Sequence, residues 1–365
     1  MNAATVIGAG PAGAVTAALL AKRGISVVLL DKDSFPRQKV CGSCLSPTAV
    51  NALRKAGLDG ILQDLSAVPL REMHLYSGAH RLVLELTDSF ALSRTALDTA
   101  LVRAAVNAGA TFLPEANATI RGIEAYRRIV EINEYSTRSK VVIAADGLSG
   151  SSLRSLRRFR SHALTDSKVG VGAVCSARSS NFYEPHIIYM CVGNGGYVGL
   201  VRLEDNSLDI AAAMSARFLK ACGSPAEAVA SLLRGANLPQ PDDLLKADWR
   251  GTVALSRRRE HISGERLFVI GDSASYVEPF TGEGIAWAML SALNVVPLVE
   301  RAAMVWNPSL EEEWERVYYN EIRSRQRKTA LVASILKNEV LRNVGAEVLA
   351  RVPMLSSFIV ESIHA

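Results

Sequence analysis

Cysteine is scarce in this chain of 365 residues: Cys41, Cys44, Cys175, Cys191 and Cys222 are five in number and widely scattered. An odd count without regular spacing excludes a disulfide framework and points to a reducing compartment, so the expected location is the cytoplasm. No second Cys/His pair stands at ligand spacing near Cys41 and Cys44, so neither a zinc site nor any other metal is expected. Long apolar runs are missing too. No stretch of 18 uninterrupted apolar residues occurs, so a transmembrane helix is not expected. Residues 1–20 have no basic start, and a glycine turn breaks their apolar run, so they do not read as a signal peptide. The six histidines (His74, His80, His162, His186, His261 and His364) are scattered and form no acid–base dyad. Charge of one sign is limited: the net charge is +5, and the densest basic runs, Arg257–Arg259 and Arg323, Arg325, Arg327 and Lys328, read as solvated faces. Nucleic acid is therefore not an expected partner. Internal repeats and low-complexity tracts are absent.

What is present begins at once. Hydrophobic residues make up 49% and charged residues 21%, enough apolar surface for a sizeable core in two domains or one large one. The stretch "VIGAGPAGAVTAALLAKRGISVVLLDKD" covers residues 6 to 33. Ala4 to Ile7 reads as a buried strand, Gly8, Gly10 and Gly13 stand in G-x-G-x-x-G spacing, and Ala14 to Lys22 continues as a helix. The first glycine permits a sharp turn, the second a close approach of backbone to pyrophosphate, and the third tight packing of helix on strand. Free N–H groups and a partial positive charge at the helix start suit phosphates. A second strand, Ser26 to Leu30, ends in Asp31, with Lys32 beside it. An acid there accepts hydrogen bonds from ribose hydroxyls, so the unit predicts dinucleotide binding.

Further along, the pattern predicts a helix from Ser46 to Lys55, two strands over Glu72 to Leu86, a helix from Thr95 to Ala108 and strands over 110–145. Residues 160–255 read as strand-rich, 267–271 as one more buried strand, and everything from Ile285 onward as helix. The expected fold class is α/β: a Rossmann-like, discontinuous nucleotide-binding domain with an inserted β-rich domain and C-terminal helices. Its pieces are 1–70, 90–155 and 260–300 for the nucleotide-binding domain, 71–89 and 156–259 for the substrate-binding sheet, and 301–365 for the helical end. Ligand sites are expected at the junction.

Four other stretches carry chemistry. "RLFVIGDSASYVEPFTGEGIAWAM", residues 266–289, is a strand, then Gly271-Asp272, then a loop with Pro279, then Gly282-Glu283-Gly284 opening a helix. The Asp can bind a ribityl or ribose hydroxyl, and the helix start at Gly284-Ile285 offers N–H groups to the pyrimidine end of a flavin. "AADGLSGSSLR" ends a strand in Asp146-Gly147, "FPRQKVCGSCLSP" carries Cys41 and Gly42, and "ALSRTALDTAL" carries Arg94. With the first fingerprint, these elements in this order resemble the flavoprotein superfamily of p-hydroxybenzoate hydroxylase-type aromatic hydroxylases (group A flavin monooxygenases), flavin-dependent halogenases and geranylgeranyl reductases. The nearest likeness is to the geranylgeranyl reductase branch, over roughly residues 3–300.

The resemblance implies FAD as cofactor, with NAD(P)H as electron donor. It implies that Gly8, Gly10, Ala12 and Gly13 hold the diphosphate and Asp31 the adenosine ribose. Ala118 would lie near the adenine, and Arg94 would reach the phosphate–ribityl region. Cys41 and Gly42 would lie beside the flavin ring, Gly284 and Ile285 at the isoalloxazine, and Asp272 at the diphosphate–ribityl part. Asp146-Gly147 would form the second fingerprint, and Cys41 and Pro279 are the flavin-face candidates for catalysis. Two departures matter. The four tryptophans (Trp249, Trp287, Trp306 and Trp314) never stand in the halogenase Trp-x-Trp-x-Ile-Pro spacing, which disfavours halogenation. The lipid-reducing Tyr-x-Trp-x-Phe-Pro strand corresponds to "GGYVGLVRL", which keeps only Tyr197.

The expected activity is therefore an FAD-dependent oxidoreductase of an apolar or aromatic small molecule, with a monooxygenase ahead of hydride transfer to an isoprenoid or polyene double bond. A non-catalytic lipid carrier on the same fold is the third reading, disfavoured by the intact Asp31, Arg94, Asp272 and Gly284. His186 and Tyr189, alternating on a strand-like segment, and Tyr197 are the substrate-contact candidates. Cys41-Gly-Ser-Cys44 also permits a dithiol relay, although it lacks the thioredoxin context. Val332, Leu336, Val340, Val344 and Val348, each four residues apart, predict an amphipathic helix that closes the core or touches a membrane surface to collect a lipophilic substrate.

Overall fold

A computed structural model describes residues 2–337 except 79, 179 and 279–281. Five parallel strands form its first layer, in the order Leu267–Val269, Tyr135–Ala144, Asn2–Ile7, Val27–Leu30 and Thr111–Leu113. Val27–Leu30 and residues 141–144 are continuous buried apolar runs, as strands covered on both faces are. Val6, Leu29, Leu30, Val142 and Ile143 are all sealed from solvent. The helices Pro11–Lys22, Arg94–Asn107 and Gly284–Met304 pack on this sheet or on one another. Pro11 takes the first turn of its helix, where its missing N–H costs no hydrogen bond.

Two glycines make the turn after the first strand possible. Gly8 has φ +100°, and a Cβ there would stand 2.3 Å from the Ala145 carbonyl oxygen of the neighbouring strand. A Cβ on Gly13 would stand 1.8 Å from the Gly8 carbonyl oxygen. The spacing thus encodes close backbone packing at the mouth of the sheet, where a ligand can approach.

A second, mixed sheet of eight strands runs Arg250–Ala254, Val169–Cys175, Leu208–Met214, Gly196–Arg202, Ile187–Gly193, Val68–Ser77, His80–Ala91 and Cys44–Leu45. A small third sheet joins Ser161–Ala163, Arg257–Arg259 and Ser275–Tyr276. The second sheet thus takes in Cys44–Leu45, from the loop after the second parallel strand, and strands that run past residues 71 and 89 at either end.

Two helices, Ala216–Cys222 and Pro225–Gly235, interrupt the segment that the sequence pattern reads as strands. Their signal was legible: Ser215 and Ser224 accept from the N–H groups of Phe218 and Glu227, and Ser224 with Glu227 has capping-box spacing. These helices contribute to the apolar layer on the back of the second sheet, with Val198, Ile210 and Leu233 at its centre.

The helix Gly284–Met304 is, among the described residues, the one long and apolar enough to cross a membrane, but 67% of its apolar window is buried inside the protein. It packs against Pro11–Lys22 and Pro47–Ala56 as a core helix. Of the C-terminal apolar repeat, Val332 and Leu336 fall in the helix Ser324–Lys337; Val340, Val344 and Val348 lie outside the described residues.

Candidate active site

A cavity of about 440 Å³ opens where the C-terminal ends of the parallel strands face the inner side of the second sheet. This is the crevice in which α/β sheets take ligands. Gly8, Gly10, Ala12, Asp31 and Lys32 line it from the first turn. Cys41, Gly42, Arg94 and Ala118 line it as well, as do Asp146, Gly147 and Asp272. Gly282, Gly284 and Ile285 bring in the start of the long helix. Gly13 and Gly271 are not lining residues. Gly13 packs on Gly8, and Gly271 sits against Ala12 and donates its N–H to Ser291 Oγ at 3.0 Å. Pro279 lies outside the described residues.

The cofactor end is built from tightly coupled charges. Asp31 Oδ2 accepts from the Ala9 N–H at 2.7 Å, and Oδ1 from the Asp33 N–H at 3.0 Å. These bonds fix the carboxylate at the strand end. Arg94 donates to Asp98 through Nε at 2.9 Å and Nη2 at 2.8 Å, a bidentate pair one helical turn apart. Arg37 Nη2 lies 3.3 Å from the same Asp98 carboxylate and 3.6 Å from Asp31. Its Nε and Nη1 are buried and have no hydrogen-bond partner among the described residues.

Orphaned donors of a buried guanidinium demand an acceptor. Both arginine tips converge on Gly10, whose absent Cβ would stand 3.7 Å from Arg37 Nη2 and 3.8 Å from Arg94 Nη2. Gly10 is also the N-cap of the first helix and supplies no side-chain cap, so that helix start keeps donors for a ligand. Two converging guanidinium groups and an uncapped helix start match the diphosphate of a dinucleotide.

Other groups set the charge state of the site. Burial pushes the Asp272 carboxyl up to about 6, against the pull of Arg94 and Lys39. Burial, then Arg37 and Arg94, pull the Lys39 ammonium below its ordinary range. Burial raises the Cys41 thiol in spite of Arg94, and raises Cys44 as well. Both thiols are thus held protonated, against the ready thiolate that a dithiol relay needs. Asp146 is spent on protein: Oδ2 accepts from Ser152 N–H at 2.8 Å and Ser151 Oγ at 3.2 Å, and Oδ1 from Ser273 Oγ at 3.1 Å. It ties the end of one parallel strand to the loop that carries Asp272.

The opposite wall is the inner face of the second sheet. Ile188, Met190, Tyr197, Gly199, Ala211 and Ala213 line it. Because strand side chains alternate, Tyr189 faces the other way. It is buried against Tyr183 and Phe182, and its hydroxyl accepts from the Glu184 N–H at 3.2 Å. His186 also stays out of the cavity lining, with Nδ1 bonded to the Pro69 carbonyl at 2.7 Å. Of the three substrate-contact candidates, the structure brings only Tyr197 to the cavity. Sequence reasoning gave no role to Arg37 and Lys39, although both stand in the quoted "FPRQKVCG". It also passed over Asp98, which follows Arg94 by four residues, and Tyr276, whose hydroxyl lies against Gly284.

Comparison with known proteins agrees with this geometry. The family model described as FAD binding domain matches residues 1–298. The menaquinone reductase of Mycobacterium tuberculosis (strain ATCC 25618 / H37Rv) is 26% identical over 339 residues, spanning 85% of this chain and 80% of that protein. The kynurenine 3-monooxygenase of Stenotrophomonas maltophilia (strain K279a) is 27% identical over 320 residues, spanning 77% and 68%. The crystal structure of halogenase PltM in complex with phloroglucinol and FAD superposes with a TM-score of 0.78 at 18% identity, covering 100% of this chain and 83% of that one. This last likeness is one of fold.

Proposed function

The chain belongs to the FAD binding domain family and is an FAD-dependent oxidoreductase; from that premise we propose that it hydroxylates an apolar or aromatic small molecule, with NAD(P)H as reductant. The observation that carries this reading is the wall opposite the cofactor end. Where the lipid-reducing strand motif has Trp, this chain has Gly199, and its neighbours in the sheet are Ala211 and Met190. Small residues on this wall leave room for a ring, and the largely apolar lining around them favours an apolar one.

FAD, when bound, supplies the electron storage and the oxygen or hydride chemistry. The residues of this chain hold and orient it. Arg37, Arg94 and the helix start at Gly10 hold the diphosphate, Asp31 the adenosine ribose, and Ala118 borders the adenine. Asp272 takes the ribityl side, and the helix start at Gly284 and Ile285 stabilises negative charge on the pyrimidine end. The enzyme works in the cytoplasm, where NAD(P)H is at hand, and a lipophilic substrate gives it reason to touch a membrane surface.

A specific observation favours a second reading, hydride transfer to an isoprenoid or polyene double bond. Cys41 lines the cavity beside Arg94, and burial keeps its thiol protonated, so it can hand a proton to a substrate carbon. The menaquinone reductase named above is in keeping with it. The test is the visible spectrum of the purified protein, followed by anaerobic NADPH and then air with a panel of aromatic substrates. The expected result is a bound flavin that NADPH bleaches and air restores rapidly, with oxygen from O₂ in the product. A reduced form that persists in air and saturates a double bond overturns hydroxylation in favour of the second reading. Absence of flavin, even after reconstitution with FAD, overturns both.

A further inference from the structure

Three tyrosines sealed inside this protein spend their hydroxyls on protein atoms. Tyr183 donates to the Pro239 carbonyl, Tyr189 donates to the Phe182 carbonyl at 3.3 Å, and Tyr318 shares a hydrogen bond with Ser275 Oγ at 3.0 Å. Tyr276, which lines the cavity, does not follow them: its hydroxyl makes no hydrogen bond among the described residues. The side chain is half-buried against the apolar cluster of Met190, Tyr197 and Leu255. Its oxygen stands at the start of the long helix, 3.2 Å from where a Cβ on Gly284 would lie. The backbone beneath it is held from behind, since Tyr276 pairs with Arg257 and Ser275 Oγ donates to Gln326 Oε1 at 2.8 Å.

Packing alone does not account for that hydroxyl. Phenylalanine would fill the same space, and a phenol withdrawn from water ordinarily finds a partner. Its charge state is set by its surroundings. Burial holds the phenol un-ionised, and Asp272, Cys41 and Tyr197 push the same way against the pull of Arg94. A neutral phenol has one proton to give. The helix beside it starts at Glu283 without a side-chain cap, so its first N–H groups face the same space. A ligand group at this point therefore meets donors, and it must bring an acceptor.

We propose that the Tyr276 hydroxyl donates a hydrogen bond to the isoalloxazine of bound FAD and thereby raises the reduction potential of the flavin. This rests on the reading that puts the ring at Gly284 and Ile285, and it adds one side-chain donor to the backbone donors there. A hydride from NAD(P)H, two electrons with one proton, leaves the ring with one more negative charge. A hydrogen bond to a charged acceptor is roughly twice as strong as one to a neutral acceptor. Tyr276 therefore holds the reduced ring more tightly than the oxidised one, and that difference is what the potential measures.

The test is the midpoint potential of the flavin-loaded protein, read by anaerobic equilibration with a reference dye, in the wild type and in Tyr276→Phe. The variant keeps the aromatic ring and removes the hydroxyl. It is expected to lose about tenfold of the preference for the reduced flavin, which moves the potential about 30 mV more negative. Binding and reduction close a thermodynamic cycle, so the same tenfold appears in the ratio of affinities for reduced and oxidised FAD. Should Tyr276→Phe be isolated without flavin, titration with oxidised and with dithionite-reduced FAD gives that ratio directly. A potential or affinity ratio equal to that of the wild type, or shifted the other way, overturns the inference and leaves FAD as the cofactor. A variant that binds neither form overturns it too, because Tyr276 then holds the pocket together and does not tune the ring. If the wild type itself takes up no FAD, the cofactor reading fails and the inference falls with it.

Discussion

The two sides of the cavity are built on opposite plans. At the cofactor end three cations (Arg37, Lys39 and Arg94) and three carboxylates (Asp31, Asp98 and Asp272) crowd around one glycine turn, each fixed by the others or by backbone. Across the gap the second sheet offers mostly alanine, glycine, isoleucine, leucine and methionine, with Tyr197, Arg250 and Thr252 as its polar groups. The cofactor end must meet one ligand of fixed shape and charge, so every donor is positioned in advance. The wall has only to be largely apolar and the right width. Damage at the first should therefore spread into stability, and damage at the second should stay in selectivity.

The sharpest way to break that contrast is Arg94→Met. Asp98, with a side chain 1% exposed, would keep only the single longer contact with Arg37. Removing one partner of a buried ion pair typically costs about 3–5 kcal/mol. The expected outcome is a lower melting temperature and protein isolated without flavin, read from the ratio of visible to ultraviolet absorbance. Gly199→Leu, on the wall, should leave that ratio unchanged while weakening substrate. Loss of flavin in both variants would mean that the two sides are not separable.

A second, smaller effect compares one carboxylate from each side. Burial pushes Asp272 up to about 6 at the cofactor end, and pushes Asp209 up to about 7 in the second sheet, where Oδ2 has no hydrogen-bond partner among the described residues. An unfolded aspartate titrates near about 3.9. Both groups bind protons more tightly when folded, so their contribution favours the fold at low pH. It is lost as pH rises, over about 4 to 6 for Asp272 and about 4 to 7 for Asp209. Asp209→Asn should therefore raise the melting temperature of the flavin-free protein at pH 8 and not at pH 4, with flavin affinity intact. Asp272→Asn should raise it less and weaken flavin. Melting curves across that range check the sign: unchanged slopes in the variants would show that neither group is linked to folding.

How much of this was legible in the sequence follows the same division. The glycine turn, Asp31, Arg94, Asp272 and Gly284 stand in motifs because backbone approach to a phosphate demands particular residues at particular spacings. Arg37 and Lys39 sit in one of those motifs, but their roles depend on Asp98, which is close only in the folded chain. The wall left no motif, since an apolar strand buried on both faces reads as a continuous hydrophobic run. Choosing the inward face then needs the register of its neighbours. Tyr189 and Tyr197 look equivalent as sequence, and pairing of Tyr189 with Leu200 and of Tyr197 with Val192 sends them to opposite sides. The helices after Ser215 and Ser224 were readable from their caps, and the run of strands around them hid that signal.

The smallest effect tests that face assignment directly. Tyr189 is buried against Tyr183, Phe182 and His74 on the helix side of the second sheet, and its hydroxyl accepts from Glu184 and donates to the Phe182 carbonyl at 3.3 Å. Tyr189→Phe removes that hydroxyl and keeps the ring, so stability should fall by about 1 kcal/mol, the usual net worth of such hydrogen bonds. Turnover and ligand affinity should not change, because Ile188 and Met190, and not Tyr189, face the cavity. Met190→Ala should do the reverse to ligand affinity, since its thioether lies next to Gly199 on the wall itself. A change in ligand affinity in Tyr189→Phe, with none in Met190→Ala, would mean that the strand presents its other face to the substrate.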